Sequence, residues 1–248
     1  MPGATIADVL ALVTRMPGRP RLTWYSADGE RVELSGAVLE NWVNKTTNLL
    51  VEELDAGPGT RVLLDLPGHW RTVVWALATW RCGACVVLGG GEADVVVTSR
   101  PAAHAGTSAP VVAVALPALA RRVDDLPPGA LDAASSVSTY GDALGWVPGT
   151  EPARPAWIAD GELVTHADLV LHAASRAAAP DARRVLREAV DATVALDALA
   201  VLATDASLVL ADPDLAARLR TDAEARDRLV GPERVDADLL GADATGPS

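Results

Sequence analysis

The chain has 248 residues, half of them apolar, enough for one sizeable core or two small lobes. Its 33 acidic and 21 basic residues give a net charge of −12, and the cations are scattered among carboxylates, so no basic stripe for nucleic acid exists and no nucleic-acid partner is expected. No basic-then-apolar leader opens the chain and no apolar run approaches the roughly 20 residues that cross a bilayer, so a cytoplasmic protein without a membrane partner is expected.

Thr5 can cap a first helix, with Ile6, Val9, Leu10 and Val13 at helical spacing before Pro17 and Gly18 end it. Leu22 to Tyr25 and Arg31 to Leu34 read as two strands joined at Asp28-Gly29 in a hairpin. Ser35 then caps a long helix with Val38, Leu39, Trp42, Val43, Leu49, Leu50 and Leu54 on one side, stopped by Gly57-Pro58-Gly59. Arg61 to Leu66 is a buried strand closed by Pro67-Gly68, and the helix after it stacks Trp70, Val73, Val74, Leu77 and Trp80. Further strands follow at Ala84 to Leu88, Asp94 to Thr98 and Pro110 to Leu116. The glycine link Gly89 to Ala93 is too short for a parallel crossover, so the strands it joins are either antiparallel or not neighbours.

The pattern weakens between Ala118 and Pro155. Strand character resumes at Ala156 to Ala159 and Glu162 to Val164, and Thr165 can cap a helix carrying Leu169, Val170 and Ala173. A helix over about Val190 to Ala203 leads into a strand at Ser207 to Ala211, and Asp212 or Asp214 caps a charged helix ending near Arg228. The expected class is α/β, with a first lobe over 1–125, an irregular connection over 126–154, a second lobe over 155–240 and a disordered tail over 241–248.

Several segments together resemble the N-terminal part of the AMP-binding superfamily, the acyl-adenylate-forming enzymes that include acyl-CoA synthetases. Leu34 to Leu54 is similar to that family's helix after "DG…TYxEL…N", with Asn48 near its "NRLA" asparagine. Gly57 to Pro67 is similar to "GVxPGDRVAxxLPN", Val74 to Ala84 to "VAxLAxWKAGA", and Ala93 to Ser99 to "ADVVVTS". Ala153 to Ile158 and Leu163 to Leu169 look like the flanks of the family's phosphate loop, and Ala195 to Ala211 resembles the helix and strand that come next. A second alignment makes Trp157 to Leu169 a copy of the opening hairpin, since Ala-Asp-Gly-Glu occurs at both Ala27 to Glu30 and Ala159 to Glu162.

The resemblance implies three-layer lobes of sheet and helix, like the N-terminal part of adenylate-forming enzymes, and it implies parts that this sequence lacks. The family's loop "SGTTGxPKG" wraps polyphosphate with backbone N–H groups and a lysine, whereas only Ala159 to Glu162, with two carboxylates, stands here. No "YGxTE" segment or C-terminal catalytic lysine is found, and the single lysine, Lys45, reads as a solvated surface charge. The expectation is a non-catalytic relative with no catalytic residue, no cofactor and no metal, binding a small apolar, acyl or nucleotide-like ligand or a protein partner. The alternatives are a divergent ATP-dependent acyl-CoA ligase and a structural homo-oligomer subunit.

Other constellations carry little chemistry. Cys82 and Cys85 read as small buried residues between helix and strand. Thr165, His166 and Asp168 stand too close along a helix to face one another. His166 and His172 do not share a face, and Gly89 to Gly91 reads as a tight turn. Most of the seven tryptophans read as packing, with Trp75, off its helix's apolar stripe, the one most open to a partner. Open α/β sheets place ligands beyond the C-terminal ends of their strands, which directs attention to Pro67, Gly68, His69, Gly90, Thr98, Ser99, Asp160, Thr165 and His166.

Overall fold

A computed structural model describes residues 4–241; of the expected tail, 242–248 lie outside the described residues. The first third of the chain forms α1 (Ile6–Val13), a hairpin of β1 (Pro20–Tyr25) and β2 (Arg31–Ser35), α2 (Gly36–Leu54), β3 (Arg61–Asp65), α3 (Trp70–Arg81), β4 (Cys85–Val87) and β5 (Val95–Thr98). β6 (Val111–Ala113), β7 (Leu131–Asp132), α4 (Ala133–Thr139), β8 (Pro155–Ala159), β9 (Glu162–Thr165) and α5 (Leu169–Ser175) follow. The last third forms β10 (Arg184–Glu188), α6 (Val194–Leu202), β11 (Ser207–Ala211), α7 (Pro213–Thr221), α8 (Ala223–Glu233) and β12 (Ala237–Asp238).

The caps lie where hydroxyls and carboxylates precede apolar periodicity. Thr5 and Asp8 close a reciprocal capping box on α1, and Ser35 accepts from the Val38 N–H at the start of α2. The charged helix expected over 212–228 is two helices, because the Asp222 backbone turns extended and its carboxylate caps α8 afresh. Thr165 does not cap α5; its hydroxyl donates to Asp168 Oδ2 at 2.7 Å instead.

Two sheets result. One has the order β12-β10-β11-β1-β2 and the other β7-β6-β5-β3-β4-β8-β9. Both are parallel except for an antiparallel hairpin strand at one edge, β2 in the first and β9 in the second. The two Ala-Asp-Gly-Glu segments therefore both occupy edge-hairpin turns, one on each sheet, the first lying within residues 26–30 between paired Tyr25 and Arg31 and the second closing tightly with Ala159 paired to Glu162. β4 and β5 are not neighbours: β3 lies between them, which lets a short link join two parallel strands. Strands from both sides of residues 126–154 pair within each sheet.

α3 fills the space between the sheets, touching β3 and β4 on one side and β1 on the other, with α1, α2 and α6 against it. A helix covered all round buries every face, and Trp75, expected to be its most open tryptophan, is 3% exposed. α7 and α8 cover the outer face of the first sheet, packing Leu215 and Leu219 on Leu186 and Val209. Glu233 of α8 fixes that contact, accepting from Tyr25 and Arg31 and pairing with Arg184.

Lys45 is not a free surface charge. Its Nζ donates to the Tyr140 carbonyl at 2.8 Å and pairs with Asp142 at 3.0 Å, while Asn44 and Asn48 donate to the carbonyls of Asp142 and Ala143 at 3.0 Å. The polar face of α2 thus holds an extended strap, residues 140–145, that the weak sequence pattern did not resolve.

Candidate functional site

In the larger sheet the parallel strands β3, β4, β5, β6 and β8 end on one side, and β3 is where the strand order reverses. Leu66 to His69, Gly89 to Gly91, Ser99 and Asp160 all follow strand ends there. Gly68 has no room for a side chain, because a Cβ would overlap the Ala189 carbonyl carbon and oxygen. Ala189 follows β10, so this glycine lets the strand ends of the two sheets meet backbone to backbone.

His69 caps α3 with its ring, Nδ1 accepting from the Arg71 N–H at 3.2 Å. The imidazole stands edge-on to Trp24 of β1 with centroids 4.5 Å apart, bridging the sheets. Burial, then the Arg71 charge, lowers its pKa to about 3, so it is neutral at physiological pH. The indole nitrogens of Trp24 and Trp70 are both buried and without a hydrogen-bond partner among the described residues.

Arg71 packs its guanidinium 4.3 Å from the Trp70 ring centroid and 5.6 Å from that of Trp42. Its Nε donates to the Leu116 carbonyl at 3.3 Å and its Nη2 to those of Pro117 and Ala118 at 3.2 and 3.4 Å, tying α3 to the loop after β6. Burial lowers its pKa to about 10, which leaves it charged. Beside it, α2, α3 and α4 border a shallow cleft of about 10 Å³, room for no more than a water, walled by Trp42, Trp70 and Trp75 with Val74 and Val137. Trp24 and Arg71 were not picked out from the sequence. The signal available was the run His69-Trp70-Arg71, which puts an imidazole, an indole and a cation at a helix start just beyond a strand.

Thr98 is fully buried, and its hydroxyl is committed to Asp65 Oδ2 at 2.8 Å. The same carboxylate accepts from Arg100 at 2.6 Å and contacts His104 at 2.9 Å; despite its burial, the bonds from His104, Thr98 and Arg100 hold its pKa below the usual value. The cluster is closed on itself and pins Ser99 between its members. Gly90 is exposed in a loop where Gly89, Gly90 and Gly91 all have positive φ.

The β8–β9 hairpin separates three residues grouped by sequence. Asp160 sits in its turn beyond the C-terminal ends of the parallel strands, but β9 runs back, so Thr165 pairs with Pro155 at the opposite end of the sheet. There His166 is buried, its Nε2 3.0 Å from the Gly83 carbonyl, a loop-fixing contact. Cys82 and Cys85 are buried free thiols whose pKa values burial raises to about 11. Among the described residues no cluster of His, Cys, Asp and Glu could hold a metal ion, and no helix is long and apolar enough to cross a membrane.

No family model matches the chain. Over 221 residues, 80% of this chain and 85% of the relative, it is 36% identical to the TIGR03089 family protein of Mycobacterium tuberculosis (strain ATCC 25618 / H37Rv). The chain belongs to the TIGR03089 family. Among solved structures, this family member is similar to VinN in complex with L-aspartate, with a TM-score of 0.66 and 18% identity over 88% of this chain and 65% of VinN. It is also similar to the Brucella canis acyl-CoA synthetase, with a TM-score of 0.68 and 16% identity over 88% of this chain and 46% of the synthetase. The TIGR03089 chain thus spans just under two thirds of VinN and under half of the synthetase. At such identities the likeness is one of fold, and it agrees with the resemblance to the N-terminal lobes of adenylate-forming enzymes.

Proposed function

We propose that this protein is a non-catalytic relative of the adenylate-forming enzymes that keeps their sheet-and-helix scaffold to carry a small ligand in the cytoplasm. The observation that supports this reading is the turn between β8 and β9. Where the resemblance puts a phosphate-wrapping loop, Ala159 pairs directly with Glu162, and only Asp160 and Gly161 stand between them, with φ of 49° and 81°. A two-residue turn with both φ positive is a tight hairpin closure. It presents few backbone N–H groups to a polyphosphate and adds the carboxylates of Asp160 and Glu162, which repel one.

Calorimetric titration with Mg-ATP and pyrophosphate exchange over a panel of carboxylic acids test the reading. No binding heat and no exchange are the expected results. Saturable Mg-ATP binding, or exchange with any acid in the panel, overturns it.

A further inference from the structure

Trp146 is 77% exposed, whereas the other tryptophans of the chain are buried or half-buried. Its backbone is nevertheless held on both sides. The Gly145 N–H donates to Asn48 Oδ1 at 2.8 Å, and Pro148 packs on Gly57, where an added Cβ would lie 3.1 Å from Pro148 Cγ. The indole therefore stands out between two fixed points beside the C-terminal turn of α2. That turn carries Glu52, Glu53 and the left-handed cap Asp55 and no basic residue, although the end of a helix is its negative pole and favours cations. Glu52 Oε1 lies 3.3 Å from the position a Cβ on Gly145 would take, and Glu53 accepts only from the Tyr140 hydroxyl, at 3.1 Å. Neither the Glu52 nor the Asp55 carboxylate has an ion-pair or hydrogen-bond partner among the described residues. Lys45 and Arg154, the cations that touch the segments on either side, are engaged by Asp142 and Glu151.

We propose that Trp146 and the C-terminal turn of α2 form a docking surface for an arginine-bearing, basic segment of another protein. A guanidinium laid on the indole gains a cation–π contact, and Glu52 and Asp55 supply the counter-charge beside it. Charge complementarity selects this occupant: the patch combines carboxylates with a helix C-terminus and holds no cation of its own, and the chain's net charge of −12 draws basic partners toward it. A tryptophan on a fixed backbone suits an interface anchor, because little conformational freedom is lost when it is covered. An open indole without an enclosing wall holds a lone small cation weakly, so the occupant must bring further contacts, as a polypeptide does. The inference goes beyond the reading of the scaffold as a ligand carrier and does not depend on it.

The test uses the full chain at low ionic strength with a short peptide of arginine, leucine and glycine, and with its citrulline counterpart, which keeps the shape and loses the charge. Calorimetry should show saturable binding of the arginine peptide, weakened by added salt, and binding of the citrulline peptide at least about tenfold weaker. Trp146→Ala should weaken the arginine peptide by a similar factor, and because the side chain is exposed its circular dichroism and Tm should match wild type. Glu52→Gln combined with Asp55→Asn should weaken binding too, since asparagine keeps the left-handed cap. Asp124→Asn combined with Asp125→Asn removes exposed carboxylates elsewhere, between β6 and β7, and should bind like wild type, which separates this patch from the net charge of the molecule. No saturable binding by the wild-type chain, equal binding of the citrulline peptide, undiminished binding by either patch variant, or an equal loss in the Asp124→Asn and Asp125→Asn control overturns the proposal. Light scattering that shows the wild-type chain self-associating, with the association lost in Trp146→Ala, assigns the surface to a second copy and overturns it as well.

Discussion

Lys45 Nζ lies 2.8 Å from the Tyr140 carbonyl oxygen and 3.0 Å from Asp142 Oδ1, so the chain's single lysine fastens residues 140–145 along α2. Lys45→Met keeps the methylene stem and removes both contacts. The loss expected is about 1 kcal/mol, the scale of one hydrogen bond to a charged group that is partly open to water. Amide exchange in 140–145 should accelerate while that of α3 is unchanged. Unaltered protection of the strap would show that Lys45 does not hold it.

Gly68→Ala tests the meeting of the two sheets. The added methyl would overlap the Ala189 carbonyl, which is backbone and cannot rotate away, so the loops after β3 and β10 must separate. Overpacking of this kind costs about 3 kcal/mol or more. Denaturant unfolding should show the loss as a lower midpoint, and a variant within experimental error of wild type would mean that the loops yield freely.

Acid should weaken the fold through His69. Its pKa is about 3 in the folded chain against 6.5 for the free side chain, so below pH 6.5 the unfolded chain binds a proton that the folded chain refuses. Stability present above pH 6.5 is lost progressively as pH falls toward 3, with a limiting slope of about 1.4 kcal/mol per pH unit. His166, whose pKa burial also lowers, adds in the same direction. In His69→Asn the amide oxygen can still cap α3 and does not titrate. Its stability should vary less with pH across this window, and an identical pH profile for the two proteins would refute the assignment.

Glu233→Gln addresses the seam between α8 and the first sheet. The glutamate is 8% exposed, and the bonds from Tyr25, Arg31 and Arg184 keep its pKa below the ordinary carboxylate value. The amide keeps an acceptor but loses the charge, which leaves the partly buried Arg184 without its counter-ion. Removing one partner of such a pair costs about 3–5 kcal/mol, and retention of one acceptor places the expected loss at the lower end. Thermal unfolding checks it, and an unshifted Tm would place the anchorage of α8 in Leu215 and Leu219 instead.

Elements with local punctuation were legible before the structure. Thr5 and Ser35 cap the helices they precede, the Asp28-Gly29 turn closes its hairpin, and apolar runs mark β3, β4 and β5. β10 was not legible: Arg184, Arg187 and Glu188 give it a polar surface pattern, and only the fold supplies their partners Glu233, Asp197 and Arg220. Trp75 lay off its helix's apolar stripe, a stripe rule that presumes one solvated face, and α3 has none. The candidate site was legible as a place, through Pro67, Gly68 and His69, but not as chemistry. Arg71 gains its role from burial and from carbonyls after β6, and Thr165 and His166 were moved to the far end by the direction of β9.

Pairing between β1 and β11 has a consequence for the order in which the molecule can be made. Leu22 pairs with Leu208 and Tyr25 with Ala211, so one edge of the first central strand is completed by chain that leaves the ribosome long after the strand itself. Until then, the hairpin of β1 and β2 carries an open row of N–H and C=O groups and the exposed apolar side chains of Leu22 and Trp24, a template for pairing with another nascent chain. During vectorial synthesis that edge therefore stays open until β11 has been made.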